Sequence, residues 1–241
     1  MVYKKFAIFF MFVFLLMSTN VFFSKSNTNT KILKTNVLKV NTELSNAEEI
    51  YNNLDSANFS LPNLESFKEA LVGFNKLKDQ GKVSKNIITL IDFSLSANTK
   101  RLWVIDLDTR KVLLHSLVAH GRNTGQEYAN SFSNAAESYK SSLGFYLTAE
   151  VYNGKHGKSL RLDGIEKGIN DNARNRAVVV HGANYVSNSF IQNNKRLGRS
   201  LGCPAVPVEI TNKLIETIQN KTCLFIYYPS KSYKQLSHLV S

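Results

Sequence analysis

The hydrophobic pattern of this chain changes its period at residue 87, and that change limits what the chain can fold into. Before this point, apolar residues recur every three to four positions from Leu64 to Leu77, which places them on one face of a helix. After it, apolar residues come in short runs separated by turn residues, the pattern of β-strands. The sequence therefore predicts helices first and a mainly β domain after them.

The helical part is predicted to hold two helices. The first begins at Ser45, where Ser45-x-x-Glu48 matches a capping box, and runs to about Leu54. The second begins near Pro62, a residue tolerated in a first turn, and stops at Gly81. We interpret residues 45–82 as a helical preface that caps the following domain.

The domain predicted over residues 85–230 consists mostly of strands. Short strands with few helices predict a β-sandwich or barrel-like architecture. Ile210–Gln219 is the one later segment with helical character, Asp106–Arg110 is typical of a hairpin turn, and residues 231–241 form a C-terminal tail. The segments with strand character are Ile87–Phe93, Arg101–Leu107, Val112–Val118, Gly144–Thr148, Leu160–Ile165, Ala177–His181 and Thr222–Tyr228.

The N-terminus has the composition of an export signal. Lys4 and Lys5 precede an apolar run that begins at Phe6, as in a secretory signal peptide. Residues 6–23 are also just long enough to lie in a bilayer, so a cleaved signal and an uncleaved anchor within residues 1–24 both remain open. Residues 25–44, rich in Ser, Asn, Thr and Lys, are predicted to be a flexible linker. We expect a periplasmic or cell-envelope protein.

The charge of the chain favours an anionic partner. Its 30 Lys and Arg against 18 Asp and Glu give a formal net charge of +12. No helix-turn-helix, RNA-binding or zinc-finger pattern accompanies this charge, so the cell envelope is favoured over nucleic acid. The sequence shows no metal-ligand cluster, and we expect a monomer that uses no metal or cofactor.

The two cysteines have different surroundings. Cys203 lies in a loop bounded by Gly202 and Pro204, downstream of His181 at the end of an apolar run. A thiol becomes a nucleophile near neutral pH when a neighbouring group takes its proton, so His181 is the candidate base and the Cys203 pKa is expected to be lowered. A structural cysteine with a surface histidine is the alternative. A disulfide to Cys223 also remains open for an exported protein, although the apolar segment around Cys223 favours a buried thiol.

The residues around this pair resemble the active-site signature of the bacterial murein L,D-transpeptidases. The resemblance rests on His181-Gly182 and on Gly198-Arg199-Ser200-Leu201-Gly202-Cys203-Pro204, which is similar to one branch of the family. The commoner family pattern is Ser/Thr-His-Gly-Cys, so Leu201 stands here in place of a histidine. Further matches, covering roughly residues 87–228, are Val118–Gly125, Phe132–Asn134, Ser141–Gly144, Tyr152–Gly157 and Leu160–Gly164.

The resemblance implies a β-sandwich-like catalytic domain and a peptidoglycan-modifying reaction. Cys203 would attack the carbonyl that joins stem residue three to D-Ala, release D-Ala and form a thioester. Three acceptors remain open: a stem-peptide amine, which gives a 3–3 cross-link, a lipoprotein lysine, and water. Two other classes also remain open: a thiol hydrolase of wall peptides and a non-catalytic wall-binding module.

The resemblance also implies roles for individual residues. His181 would be the general base, the Gly182 carbonyl would fix its tautomer, and Gly202 would let nearby N–H groups face an oxyanion. Arg199 is the candidate partner for a substrate carboxylate, and either Arg199 or His120 is the candidate replacement for the histidine missing at position 201. The remaining candidates for substrate contacts are Ser200, His120, Asn123, Ser141 and Ser142.

Overall fold

Two helices precede the sheet. The computed structural model describes residues 46–240, so the predicted signal or anchor, the linker and Ser45 lie outside the described residues. Helix α1 covers residues 46–52, and α2 covers Leu64–Asp79. Between residues 46 and 240, no helix is long and apolar enough to cross a membrane.

The residues that flank helix α2 set where it begins and ends. The Asn63 side chain accepts a hydrogen bond of 2.8 Å from the Glu65 N–H, so the helix starts just after Pro62. Gly81, with φ of +66°, follows its last residues. The apolar face of α2 packs into the same core as the sheet, because Gly73 leaves room for the Phe145 ring: a Cβ at Gly73 would lie 2.0 Å from it.

Eight strands form one mixed sheet, which confirms the prediction of a mainly β domain. Its strand order is β3-β2-β1-β8-β4-β5-β6-β7. The seven predicted strands match seven of these eight strands. The remaining strand, β7, has two residues and is too short to show a hydrophobic period. The strands are β1 (Ile87–Asp92), β2 (Leu102–Asp106), β3 (Lys111–Ser116), β4 (Gly144–Gly154), β5 (Gly157–Gly164), β6 (Val179–Gly182), β7 (Ala205–Val206) and β8 (Cys223–Tyr227).

The two edges of this sheet meet. Strand β1 pairs in parallel with β8, and β6 pairs in parallel with β7, while the other pairs are antiparallel. Beyond β3, the Ala119 N–H donates a hydrogen bond of 2.8 Å to the Ala205 carbonyl in β7. This bridge makes the sheet nearly a closed barrel and brings the segment after β3 beside the loop that contains Cys203.

Three helices follow the first strands. Helix α4 (Val208–Ile218) corresponds to the predicted helix. The structure adds α3 (Asn188–Asn194) and α5 (Lys231–Leu236), which are 7 and 6 residues long. Both start at a serine whose side chain caps the helix, and neither has a repeating buried stripe, so hydrophobic periodicity does not reveal them.

Candidate active site

The loop before β7 holds Cys203 in a tight turn. The Ser200 hydroxyl donates to the Cys203 carbonyl at 2.6 Å and accepts from the Gly202 N–H at 3.1 Å. Gly202 has φ of +129°, and a Cβ there would lie 2.9 Å from the Lys140 carbonyl oxygen. Only glycine fits this conformation and this space. Cys203 is therefore presented, partly exposed, on a turn braced by Ser200.

His181 lies on the neighbouring strand. It is the third residue of β6 and pairs with Ala205 of β7, which lies two residues after Cys203. Its Nδ1–H donates a hydrogen bond of 2.9 Å to the Gly182 carbonyl, which can only accept. The tautomer is thereby set, and Nε2 is left with a lone pair that can accept a proton.

The resting pair is a neutral thiol and a neutral imidazole. Burial lowers the pKa of His181, and burial raises the pKa of Cys203, although the Val179 N–H and the Arg176 cation act to lower it. This direction is opposite to the lowered thiol pKa expected from sequence, because desolvation outweighs the neighbouring charge. The Cys203 Sγ–H meanwhile points to the Ala177 carbonyl at 3.7 Å.

Cys223 is a structural thiol. It lies in β8 with no exposed surface, and burial raises its pKa far above the ordinary range. Both cysteines are free, so the disulfide alternative is not realised.

Arg176 is a residue of the site that the sequence did not single out. Its Nη1 donates to the Ser133 carbonyl at 2.8 Å and to the Ser142 hydroxyl at 2.7 Å. Its Nη2 donates to the Lys140 carbonyl at 2.6 Å. The guanidinium thus ties the segment after residue 132 to the base of β6 and places a positive charge near Cys203. Arg176 lies just before the apolar run of β6. Other basic residues also precede apolar runs, so this position alone did not mark Arg176 as a residue of the site.

His120 supports the site from within the core. It has no exposed surface, its Nδ1 accepts from the Arg101 guanidinium at 2.8 Å, and its Nε2–H faces the Gly125 carbonyl at 3.3 Å. Burial and then the Arg101 cation lower its pKa to about 4, so the ring is neutral. The structure therefore reassigns His120 from a substrate contact, or a replacement for the missing histidine, to a support of the loop.

The predicted serines also act as supports. Ser141, almost fully buried, accepts from the Gly121 N–H and donates to the Gly202 carbonyl, both at 3.1 Å. Ser142 donates to the Ser133 carbonyl at 2.8 Å in addition to its bond from Arg176. Together with Ser200, these hydroxyls hold the walls of the turn. Among the predicted polar contacts, only Asn123 is exposed, and its amide donates to the Ser138 carbonyl at 2.9 Å.

Arg199 and Leu201 flank Ser200 on the outer side of the turn. Arg199 Nη1 donates to the carbonyls of Arg122 and Gly125, both at 3.2 Å. Burial, followed by the charges of Arg196 and Arg122, lowers the Arg199 pKa. None of these three arginines forms an ion pair with a carboxylate in residues 46–240, so this side of the turn carries uncompensated positive charge. The Leu201 side chain is 61% exposed.

His156 is a second residue beside the site that the sequence did not indicate as a functional candidate. It lies at the turn between β4 and β5, and its ring stacks on His181 with centroids 4.5 Å apart and planes inclined by 24°. Its signal was its place within Tyr152–Gly157, one of the segments that carry the family resemblance, but the spacing from His181 did not indicate contact. In the part of the chain that the structure describes, no group of three His, Cys, Asp or Glu side chains is placed to bind a metal ion.

Comparison with known families identifies the chain. A family model for the L,D-transpeptidase catalytic domain matches residues 60–227, more than half of the chain. The chain therefore belongs to the L,D-transpeptidase catalytic domain family, as the signature around Cys203 predicted. No curated protein sequence matches it.

Solved structures with distant similarity include an L,D-transpeptidase from Mycobacterium smegmatis, with 10% identity, a TM-score of 0.38 and coverage of 60% of each chain. The helical cell shape determining protein Pgp2 from Campylobacter jejuni has 12% identity and a TM-score of 0.42 over 71% of this chain and 58% of its own. An L,D-transpeptidase from Stackebrandtia nassauensis has 12% identity and a TM-score of 0.36, covering 69% and 68%. This chain thus spans about 60% of the first two proteins. The family assignment rests on the family model.

Proposed function

We propose that this protein is a cysteine L,D-transpeptidase that acts on the tetrapeptide stems of peptidoglycan through a Cys203 thioester. The observation that carries the proposal is the 2.9 Å bond from His181 Nδ1 to the Gly182 carbonyl, on the strand paired with the one that follows Cys203. It leaves Nε2 as a base at the same end of the sheet as the thiol. The family membership supplies the class of reaction.

Acylation begins from the neutral pair. As the sulfur of Cys203 attacks the carbonyl carbon between stem residue three and D-Ala, the thiol proton passes to His181 Nε2. The carbon–nitrogen bond to D-Ala then breaks, and the imidazolium returns the proton to the leaving amine. Because both groups are neutral at rest, deprotonation accompanies attack on the bound substrate.

The turn provides limited stabilisation for the oxyanion. The Gly202 N–H is already committed to the Ser200 hydroxyl, so Gly202 acts through its shape. The Cys203 N–H is the backbone donor that we assign to the oxyanion. Such a donor contributes about 3 kcal/mol to transition-state stabilisation.

The substrate carboxylate is assigned to the positive side of the turn. Arg199, with Arg122 and Arg196 close by, offers charge that no carboxylate of residues 46–240 neutralises. A guanidinium suits a carboxylate because its donors form a planar fork. Asn123, exposed on the same segment as Arg122, is the proposed amide contact.

The decisive experiment incubates the purified protein with tetrapeptide-bearing muropeptides and measures products by mass spectrometry. Cys203→Ala is expected to abolish acyl-enzyme formation, and His181→Ala to lower acylation by about 10² to 10⁴-fold. Cys223→Ala is the matched control: it removes the buried thiol and should keep the chemistry at some cost in stability.

The products also separate the alternatives. Cross-linked dimers indicate an amine acceptor, whereas loss of D-Ala alone indicates a thiol carboxypeptidase. Binding to wall fragments without any acyl-enzyme would replace the proposal with a wall-binding module. Full turnover by Cys203→Ala would exclude the cysteine mechanism.

We also propose that the protein works in the periplasm or cell envelope as a monomer. The support is the signal-like pattern of residues 6–23, which lies outside the described residues, and the peptidoglycan chemistry of the family. The proposed reaction uses side-chain and backbone groups of this chain and no cofactor.

A further inference from the structure

The turn between β4 and β5 carries an imidazole onto the face of the proposed base. Gly154 ends β4 and Gly157, with φ of +74°, begins β5, so the chain reverses tightly around His156. The His156 and His181 rings lie with centroids 4.5 Å apart and planes inclined by 24°. This stacked contact joins the turn between β4 and β5 to strand β6 of the same sheet.

The hairpin is held where this contact requires it. In the β5–β6 register, Ser159 lies opposite His181, three residues after His156. Between them, the Lys158 ammonium binds the Glu216 carboxylate of α4 at 2.8 Å. The hairpin that carries His156 is therefore held by the pairing of β5 with β6 and by an ion pair to helix α4.

The other histidines are committed elsewhere. All five histidines lie within the described residues, and His156 is the one whose ring stacks on His181. His115 stacks on Trp103 at 4.8 Å, His120 is buried against Arg101, and His238 lies two residues after the end of α5. Position 201, where the commoner family pattern has a histidine, carries an exposed leucine. His156 thus places a second imidazole at the site, although the turn that contains Cys203 has no histidine.

We propose that His156 is a positioning residue, which fixes the plane of the His181 ring so that Nε2 stays available to the thiol of Cys203 during acylation. The proposal rests on the function proposed for Cys203 and His181. The bond from Nδ1 to the Gly182 carbonyl holds one edge of the His181 ring, and the stack restricts rotation about that edge. The two contacts together leave the His181 ring one orientation, with Nε2 directed away from the Gly182 carbonyl.

The test compares variants at the same turn. His156→Ala removes the stack, His156→Phe keeps an aromatic face, and Lys155→Ala is the matched control one residue away. We expect His156→Ala to lower kcat on a tetrapeptide donor by about 2- to 12-fold with KM unchanged, the range for losing a stacked ring pair. His156→Phe should recover most of the rate, and Lys155→Ala should match the wild type.

A second readout needs no peptide. The rate of Cys203 alkylation by iodoacetamide at neutral pH should rank the variants in the same order, with thermal unfolding unchanged because His156 is exposed. If the wild type forms no peptide product while this ranking holds, the proposed function fails and the positioning role stands. Equal alkylation and turnover in His156→Ala and the wild type would overturn the role of His156. So would a His156→Phe variant as slow as His156→Ala, because stacking would then not be the relevant contact.

Discussion

Replacing Arg176 with methionine tests whether one side chain both braces the site and tunes its nucleophile. Methionine has a similar length and no charge or donor. The substitution removes one donor from each of two partly buried carbonyls, Ser133 O and Lys140 O, which Arg176 contacts at 2.8 and 2.6 Å. It also removes the bonds to the hydroxyls of Ser142 and Ser138, at 2.7 and 3.3 Å.

The expected loss of stability follows from these contacts. The Ser133 carbonyl keeps its bond from the Ser142 hydroxyl, so the Lys140 carbonyl is the acceptor that loses its donor. An unpaired buried acceptor costs about 1 to 3 kcal/mol, which for a domain of this size lowers Tm by about 2 to 12 °C. The hydroxyls can rotate to water, so their contribution is small.

The same variant should change the thiol. The Arg176 cation lowers the Cys203 pKa against the larger effect of burial, so Arg176→Met should raise that pKa further. Arg176→Lys retains the charge but cannot reach four acceptors with one ammonium. We therefore expect the lysine variant to keep a thiol pKa near that of the wild type, with an intermediate Tm.

Two assays decide the matter: thermal unfolding, and the pH profile of iodoacetamide alkylation of Cys203 in a Cys223→Ala background. A methionine variant with a lowered Tm but an unchanged alkylation profile would show that Arg176 braces the loop and does not act on the thiol. An unchanged Tm would refute the bracing argument.

Three further predictions concern the surroundings of the turn. Arg199→Ala should raise KM for a tetrapeptide donor more than it lowers kcat, since a carboxylate contact is made equally in the ground and transition states. Gly202→Ala should lower acylation at least 10²-fold by displacing the turn from the Lys140 carbonyl, whereas Gly81→Ala, also at positive φ but with no neighbour within 4 Å, should not. His120→Asn should flatten the acid dependence of unfolding, because the native imidazole has a pKa of about 4 and an unfolded one about 6.5. The folded wild type binds fewer protons between these values, so it should lose about 3 kcal/mol as pH falls through them.

Each of these predictions has a contrary result. An unchanged KM in Arg199→Ala would remove Arg199 from the substrate site. Equal activity losses in the two glycine variants would mean that backbone strain, not the contact near Lys140, is responsible. Parallel stability curves against pH for His120→Asn and wild type would show that His120 is not the acid-sensitive group. The buried carboxylates of Asp92 and Glu166 have raised pKa values, so their protonation at low pH stabilises the folded state. Both proteins contain these carboxylates, so their contribution cancels in the comparison.

The sequence by itself determined most of the elements and indicated the candidate pair, Cys203 and His181. The stripe from Leu64 to Leu77 and the short apolar runs after residue 86 report burial directly, because a helix face repeats every 3.6 residues and a strand face every two. Cys203 and His181 were found because their immediate neighbours form a recognisable local signature. Short elements without a repeating buried face, such as β7 and α3, left no such trace.

Only the tertiary structure decided which groups surround that pair. The bridge from Ala119 to Ala205 nearly closes the sheet, and His120, the next residue, is buried as a support. Arg176 and His156 reach the site through contacts with residues far away in sequence, and local spacing carries no information about such contacts. The direction of the Cys203 pKa shift was also decided there: burial raises the pKa of the thiol and outweighs the nearby positive charge.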